Sequence, residues 1–384
     1  MVKPLTNLGN MPVAEFMRDY WQQKPLLIRN AFPDFESPIS GEELAGMALE
    51  EAVESRLVLE NGESGPWELR NGPFSEEDFL SLPKTHWTLL VQAVDQWLSE
   101  LAELKQAFRF IPDWRLDDVM ISYAADQGSV GPHFDYYDVF LLQAEGKRRW
   151  QVGAKADESS PRVEGTPLKI LREFTAEDSW VLEPGDMLYL PPQYSHWGVA
   201  EGGCTTISIG FRAPSARTIL EDLAAELAHG LPEHLRYTDA GRAPATAPAE
   251  IDPASVQGLR AQLQEWLQQP QNIAQWFGAV MTEAKYPDTV ALDAGSADDW
   301  REQLAQGAEL VLNPASRCAF CRDPETLFVD GESFPAPLPF AEQFCQTHRI
   351  VQADVERHPQ MAAAGGPIEL LVAQGTLIYP PEDF

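Results

Sequence analysis

Between Arg115 and Arg212 the chain is cut into short apolar runs separated by Gly, Pro and Asp, and this punctuation constrains the fold more than any other feature. The runs are DDVMISYAA, YDVFLLQA, RRWQVG, DSWVLEPGDMLYLP, HWGVA and CTTISIGF. They are rich in β-branched and aromatic residues, which fit a pleated, half-buried surface. A helix would need an apolar stripe sustained over a longer stretch. Several short strands at this spacing predict a β-sandwich or jelly roll. Gly146 reads as a turn between two of the strands.

The flanks are of a different character. VAEFMRDYWQQ predicts an amphipathic helix that stops before Pro25, and KPLLIRNAF a strand. SGEELAGMALEEAV predicts a helix with a Ser cap. WTLLVQAVDQWLSELAELKQAF, rich in helix formers, reads as one long helix. Beyond Pro214, SARTILEDLAAELAHGL puts Ile219, Leu223 and Leu227 on one helical face. GRAPATAPAEIDPA reads as a linker, followed by helices in VQGLRAQLQEWLQQ and NIAQWFGAVMTEAK. Their apolar stripes suit either core packing or a dimer contact. YPDTVALDAGSADD marks a further boundary. The remainder reads as a helix (DDWREQLAQ), strands (ELVLN, TLFVDGESF with a turn at Asp330-Gly331), two helices (FAEQFCQTH, ADVERHPQMAAA) and a terminal hairpin (IELLVAQGTLIYP), a winged-helix-like order. A chain of 384 residues exceeds one typical core. The expected domains are 1–213, 214–288 and 289–384.

Charge narrows the partners. With 28 Lys+Arg against 59 Asp+Glu, the net charge is −31. Such a surface repels phosphates and anionic membranes and attracts basic partners, and it also favours solubility. From Asp298 to Phe384 there is no Lys, and Arg301, Arg317, Arg322, Arg349 and Arg357 are scattered, which argues against DNA binding. The first residues carry no apolar core of signal-peptide length, and no segment has the roughly 18 apolar residues needed to span a bilayer. The expectation is a cytoplasmic protein whose four Cys are reduced. Cys318-x-x-Cys321 is a single pair; Cys345 and His348 downstream could complete a metal site on paper, and two ordinary thiols beside a hairpin fit as well.

Among seven His, His133 stands in a pattern, GPHFDYYDVF, which gives His133-x-Asp135. On extended backbone, residues i and i+2 share a face, so an imidazole and a carboxylate converge. A third ligand from a neighbouring strand would complete a facial triad of the kind that suits non-haem Fe(II). Alone, such a pair also arises by chance. EPGDMLYLPPQYSHWGVA supplies the second half: Gly185, five residues, Pro191, then His196. The Gly and Pro turn the chain tightly around a short apolar strand and deliver His196 onto the next. In EGKRRWQVG, Arg148, Trp150 and Val152 alternate to one face, with Lys147 and Arg149 opposite. That basic trio could be no more than a solvated face, but Arg148 lies fifteen residues beyond His133.

The His196 box resembles the second box of cupin and JmjC jelly rolls, with Gln193 where a Gly is usual and Ala200 where some cupins have Asn. PDWRLDDVMISY, GPHFDYYDVFLLQ, GKRRWQVG, LEPGDMLYLPP and SIGFRAP together resemble the bacterial JmjC-type ribosomal oxygenases, strongly over residues 14–230. The resemblance implies an α+β chain with a double-stranded β-helix catalytic domain, a helical dimerisation region and a winged-helix-like C-terminal domain. It implies Fe(II) on His133, Asp135 and His196, with 2-oxoglutarate and O2 consumed and succinate and CO2 released. Arg148 would grip the distal carboxylate of 2-oxoglutarate, since two parallel N–H donors match two oxygens. Ser122 and Ser208 are hydroxyl candidates for the same carboxylate, or simply small strand residues. The implied substrate is an arginine of a basic large-subunit ribosomal protein, met by a homodimer; Asp118, Tyr137 and Asp138 could cradle its guanidinium or be ordinary strand-edge residues. Hydroxylation of histidine, or action on lysine, would use the same metal ligands. A ligand-sensing cupin joined to a winged helix is the reading from another class.

Overall fold

The structure, a computed structural model, describes residues 3–62, 65–267 and 270–380. Two compact units divide at Ala213/Pro214. In the first, a small hairpin, β1 (Asn7–Leu8) and β2 (Met11–Pro12), precedes α1 (Val13–Asp19). Then follow β3 (Leu26–Ile28), α2 (Gly41–Met47), β4 (Ser55–Gly62), β5 (Gly65–Asn71), α3 (Glu76–Leu80), β6 (Trp87–Val91) and α4 (Ser99–Gln106). The jelly roll itself is β7 (Leu116–Ala124), β8 (Val139–Lys155), β9 (Ala176–Leu182), β10 (Met187–Leu190) and β11 (Tyr194–Phe211), extended by β3–β6. The strand order is β3-β10-β8-β11-β7-β6-β4-β5, with β9 on β8.

Two long strands make two sheets out of this one ladder. β8 pairs with β10 through Val139–Leu142 and with β9 through Arg148–Gly153. β11 meets the C-terminal half of β8 first and its N-terminal half afterwards, with register shifts between Glu201 and Thr206. Gly146 sits at the corner with φ +62°, where a Cβ would fall 2.2 Å from the Gly203 carbonyl oxygen. The turn expected there is therefore a corner inside one strand. Alternation on the larger sheet divides the apolar residues. Val119, Ile121, Phe140, Leu142, Ile207 and Ile209 pack toward the N-terminal segments. Val139 and Leu141 join Trp150, Val152 and Leu182 between the sheets.

Two elements differ from the sequence reading. Residues 87–106 are a strand, a turn and a short helix rather than one helix. WTLLV pairs with β4 and β7, tertiary pairing overriding helical propensity. The chain then turns at Ala93 (φ +51°), and the break is fixed by two buried carboxylates: Asp118 accepts from Gln92 and the Ala93 N–H, and Asp95 accepts from the Val119 N–H. The terminal hairpin is also absent. IELLVAQ forms a helix that starts at Pro367 and ends in Gly375, whose φ of +83° closes the C-terminus.

The second unit holds α5 (Ala216–Gly230), α6 (Pro253–Leu267), α7 (Pro270–Thr282), α8 (Pro287–Ala291), α9 (Trp300–Ala305), β12 (Leu310–Leu312), β13 (Cys318–Arg322), β14 (Glu325–Val329), β15 (Glu332–Pro335), α10 (Leu338–Thr347), β16 (Arg349–Ile350), α11 (Gln352–Arg357), α12 (Pro367–Ala373) and β17 (Leu377–Ile378). Its core centres on Trp300, Phe340, Phe344, Leu371 and Leu377. The stretch expected as a boundary at 286–299 thus contains α8. Cys318 is buried and Cys321 half-buried; three apart on β13, they face opposite sides of the strand. Among the described residues no helix is long and apolar enough to cross a membrane.

Candidate active site

His133 lies just before β8 on an extended segment that adds one rung to the smaller sheet. It exchanges both backbone hydrogen bonds with His196, 3.0 Å and 2.8 Å, so the two residues stand directly opposite each other. Their rings lie 4.3 Å apart between centroids. Asp135 Oδ2 is 3.8 Å from His133 Nε2 and 3.7 Å from His196 Nε2. Among the described residues this trio alone brings three His, Cys, Asp or Glu side chains together for a metal, with ligand atoms within 4.8 Å of one another.

Each imidazole is aimed by the backbone. His133 Nδ1 lies 3.0 Å from the Gly131 carbonyl and His196 Nδ1 lies 2.9 Å from the Tyr194 carbonyl. A carbonyl only accepts, so each Nδ1 carries a hydrogen, which in a neutral ring leaves the Nε2 lone pair facing the cluster. Burial, then the His133 neighbour, lowers the His196 pKa to about 4, so this ring stays neutral near pH 7. The Gln193 N–H donates to the Asp135 carbonyl at 2.6 Å, from a backbone with φ +72°. That left-handed conformation is the physical reason a Gly is usual at this place.

Arg148 lies across the jelly-roll interior, 2% exposed. Among the described residues no carboxylate pairs with it. Its guanidinium meets Ser122 Oγ at 3.2 Å, Thr206 Oγ1 at 3.4 Å and the Gly198 carbonyl at 3.5 Å, all long contacts. Among the described residues Nε has no hydrogen-bond partner, and neither does the neighbouring Trp150 Nε1. Burial lowers the Arg148 pKa. An uncompensated buried cation costs several kcal/mol, so this arrangement is built for an anion. The Trp150 ring lies between the two groups, 4.9 Å from the guanidinium carbon and 6.0 Å from the His196 ring. Gly198 makes room, since a Cβ there would lie 2.7 Å from both Arg148 Nε and Trp150. Lys147 and Arg149 face outward and pair with Glu183 and Glu201.

The other sequence candidates divide. Ser122 meets Arg148 from β7. From β11 the hydroxyl that does so is Thr206, with Ser208 two residues further along the same face. Thr206 also lies 3.3 Å from the buried Gln143 Oε1; neither residue was legible as part of the site. Asp118 is buried and holds the Ala93 turn. Tyr137 remains 44% exposed, yet burial of its hydroxyl end, with the Asp135 and Asp118 charges, raises its pKa. Asp138 is committed elsewhere. Fully buried, it accepts from Tyr189 Oη, Gln22 Nε2 and Arg115 Nη2. With its oxygens committed to that network it is structural, and an incoming guanidinium finds no acceptor there.

Comparison with known proteins agrees with the fold. Residues 103–219 match the JmjC domain family, and residues 261–364 match the ROXA-like winged helix. The chain is similar to the ribosomal protein uL16 3-hydroxylase of Escherichia coli, 36% identical over 325 residues, 84% of this chain and 85% of that one. A probable ribosomal oxygenase of Haemophilus influenzae is 41% identical over 221 residues, 57% of this chain and 54% of that one. Among solved structures, E. coli YcfD superposes with a TM-score of 0.85 at 32% identity, covering 98% of this chain and all of that one. YcfD described in complex with cobalt and 2-oxoglutarate gives 0.82 at 31% identity, over 98% and 99%. The chain belongs to the JmjC-type ribosomal oxygenases.

Proposed function

We propose that this chain hydroxylates the β-carbon of an arginine side chain in a large-subunit ribosomal protein, with iron(II) held by His133, Asp135 and His196. The observation that carries the reading is Arg148, a buried cation without a counter-charge in the same interior as a three-ligand metal cluster. The relative described with cobalt and 2-oxoglutarate supports the same pairing of metal and dicarboxylate. Bound iron(II), with 2-oxoglutarate and dioxygen as co-reactants, supplies the oxidising chemistry and releases succinate and carbon dioxide.

The side chains divide the work. The two Nε2 atoms and the Asp135 carboxylate would hold the cation, a ligand set that suits iron(II). Arg148, with the Ser122 and Thr206 hydroxyls, receives the distal carboxylate of the cosubstrate; Ser208 on the same face is a further candidate. Its pull fixes the orientation of the reacting end toward the metal. Tyr137 lies beside Asp135 and offers its hydroxyl oxygen to a substrate guanidinium, with the charge of the buried Asp118 near enough to act on Tyr137. A net charge of −31 steers basic ribosomal proteins toward the enzyme. A homodimer is supported by α6, where Val256, Leu259, Leu263 and Leu267 form an exposed apolar stripe. Introducing Leu259→Glu with Leu263→Glu is expected to leave a monomer in sedimentation; an unchanged dimer would move the interface elsewhere.

Incubation of ribosomal proteins, uL16 first, with enzyme, iron(II) and 2-oxoglutarate tests the activity by mass spectrometry. A single added oxygen on an arginine is expected. The same mass on histidine would make the chain a histidyl hydroxylase, and no product from any ribosomal protein would overturn the reading.

A further inference from the structure

The two candidate metal-binding imidazoles are oriented by carbonyls of unequal security. The Tyr194 carbonyl that aims His196 belongs to the same strand, β11, and both residues pair with β8, though the register shifts between them. The Gly131 carbonyl that aims His133 sits in a loop, on a residue with φ +78°. Something must hold that peptide in place. Ser129 is 1% exposed, and its Oγ accepts from the Gly131 N–H at 3.0 Å and from Trp197 Nε1 at 2.8 Å. Trp197 is the residue after His196 on β11, so one hydroxyl ties the turn before His133 to the strand that carries the other imidazole. The segment following β8 adds to this from outside. The Leu171 N–H donates to the Pro132 carbonyl at 2.7 Å, Ile170 packs where a Cβ on Gly131 would come within 2.9 Å, and Phe174 lies edge-on to Trp197.

We propose that Ser129 is a positioning residue for the metal site: its hydroxyl, held between Trp197 Nε1 and the Gly131 N–H, fixes the Gly131 carbonyl that sets the His133 tautomer and ring orientation. The inference rests on His133, Asp135 and His196 being the metal ligands. Ser129 touches neither metal nor substrate in this scheme. It acts through Gly131, as partners behind a metal-bound imidazole do elsewhere, where their loss weakens metal binding by about 10- to 100-fold.

The test is a cobalt(II) titration of the full-length protein without cosubstrate, followed by calorimetry and by the visible d–d absorption. Ser129→Ala is expected to bind cobalt(II) about tenfold more weakly, with a shifted d–d band, while melting of the metal-free protein falls by no more than about 4 °C. Trp197→Phe removes one of the same hydrogen bonds and keeps the ring. It is expected to move affinity and spectrum in the same direction, so the proposal stays testable if Ser129→Ala fails to fold. The double variant should be little worse than either single one, because both break one chain of contacts. Ser129→Thr, which keeps the hydroxyl, should recover most of the affinity. Wild-type affinity and spectrum in Ser129→Ala, alongside loss of binding in His133→Ala, would overturn the proposal and leave the metal ligands standing. Undiminished cobalt(II) binding in His133→Ala would instead remove the reading on which it rests.

Discussion

At one end of the jelly-roll interior, His133, Asp135 and His196 present two imidazole Nε2 atoms and a carboxylate, each ring held by a backbone carbonyl. At the other, Arg148 presents a fixed cation to three oxygens at long range and, among the described residues, to no anion. One end offers donors suited to a cation and the other a buried cation suited to an anion. A ligand that chelates a metal through one terminus and carries a free carboxylate at the other fits both, and 2-oxoglutarate has that shape. The difference teaches that the opposite charges of the two ends specify the site more than the number of residues in it.

The largest effect should come from the metal end. His133→Ala is expected to abolish cobalt(II) or iron(II) binding and all turnover, with circular dichroism unchanged. Retained turnover would break the comparison at its first term. Arg148→Met comes next. Losing hydrogen bonds between a cation and a carboxylate should weaken 2-oxoglutarate by about 10- to 100-fold. The same substitution should stabilise the ligand-free protein, by about 1–4 kcal/mol in thermal unfolding, because a buried uncompensated charge is removed. A fall in melting temperature would mean that Arg148 already has an adequate partner. Thr206→Val should cost about fivefold in 2-oxoglutarate affinity, one neutral-to-charged contact of about 1 kcal/mol. Smallest of all, Gln193→Gly should raise stability by up to ~1 kcal/mol, relief of the left-handed backbone outweighing the added freedom of the unfolded chain.

The metal end was legible from spacing, since His133-x-Asp135 and the Gly185–Pro191–His196 box carry their geometry in the sequence itself. Arg148 was legible through strand alternation, which put Lys147 and Arg149 outside. Residues whose role depends on cross-strand register were not. Ser208 and Thr206 share a face of β11, and only the pairing with β8 and β7 decides that Thr206 is the one at Arg148. Asp138 lies three residues from Asp135, but the chain turns inward as it enters β8, and sequence proximity misled. WTLLV and IELLV failed for one reason. A short apolar run fits a buried strand and a buried helix alike, and the deciding signals were the Ala93 turn in the first and the Pro367 and Gly375 ends in the second. Gly198 and Ser129 carry no sequence signal, because each matters for the atom it faces.

The most direct test of the two-ended site compares 2-oxoglutarate with 2-oxopentanoate, which keeps the chelating end and replaces the distal carboxylate with a methyl group. Binding to the cobalt(II)-loaded protein is measured by calorimetry for the wild type and for Arg148→Met. The wild type should prefer 2-oxoglutarate by about 10- to 100-fold, and Arg148→Met should lose that preference while binding 2-oxopentanoate no worse. An equal preference in both proteins would contradict the assignment of Arg148 as the counter-charge of the cosubstrate.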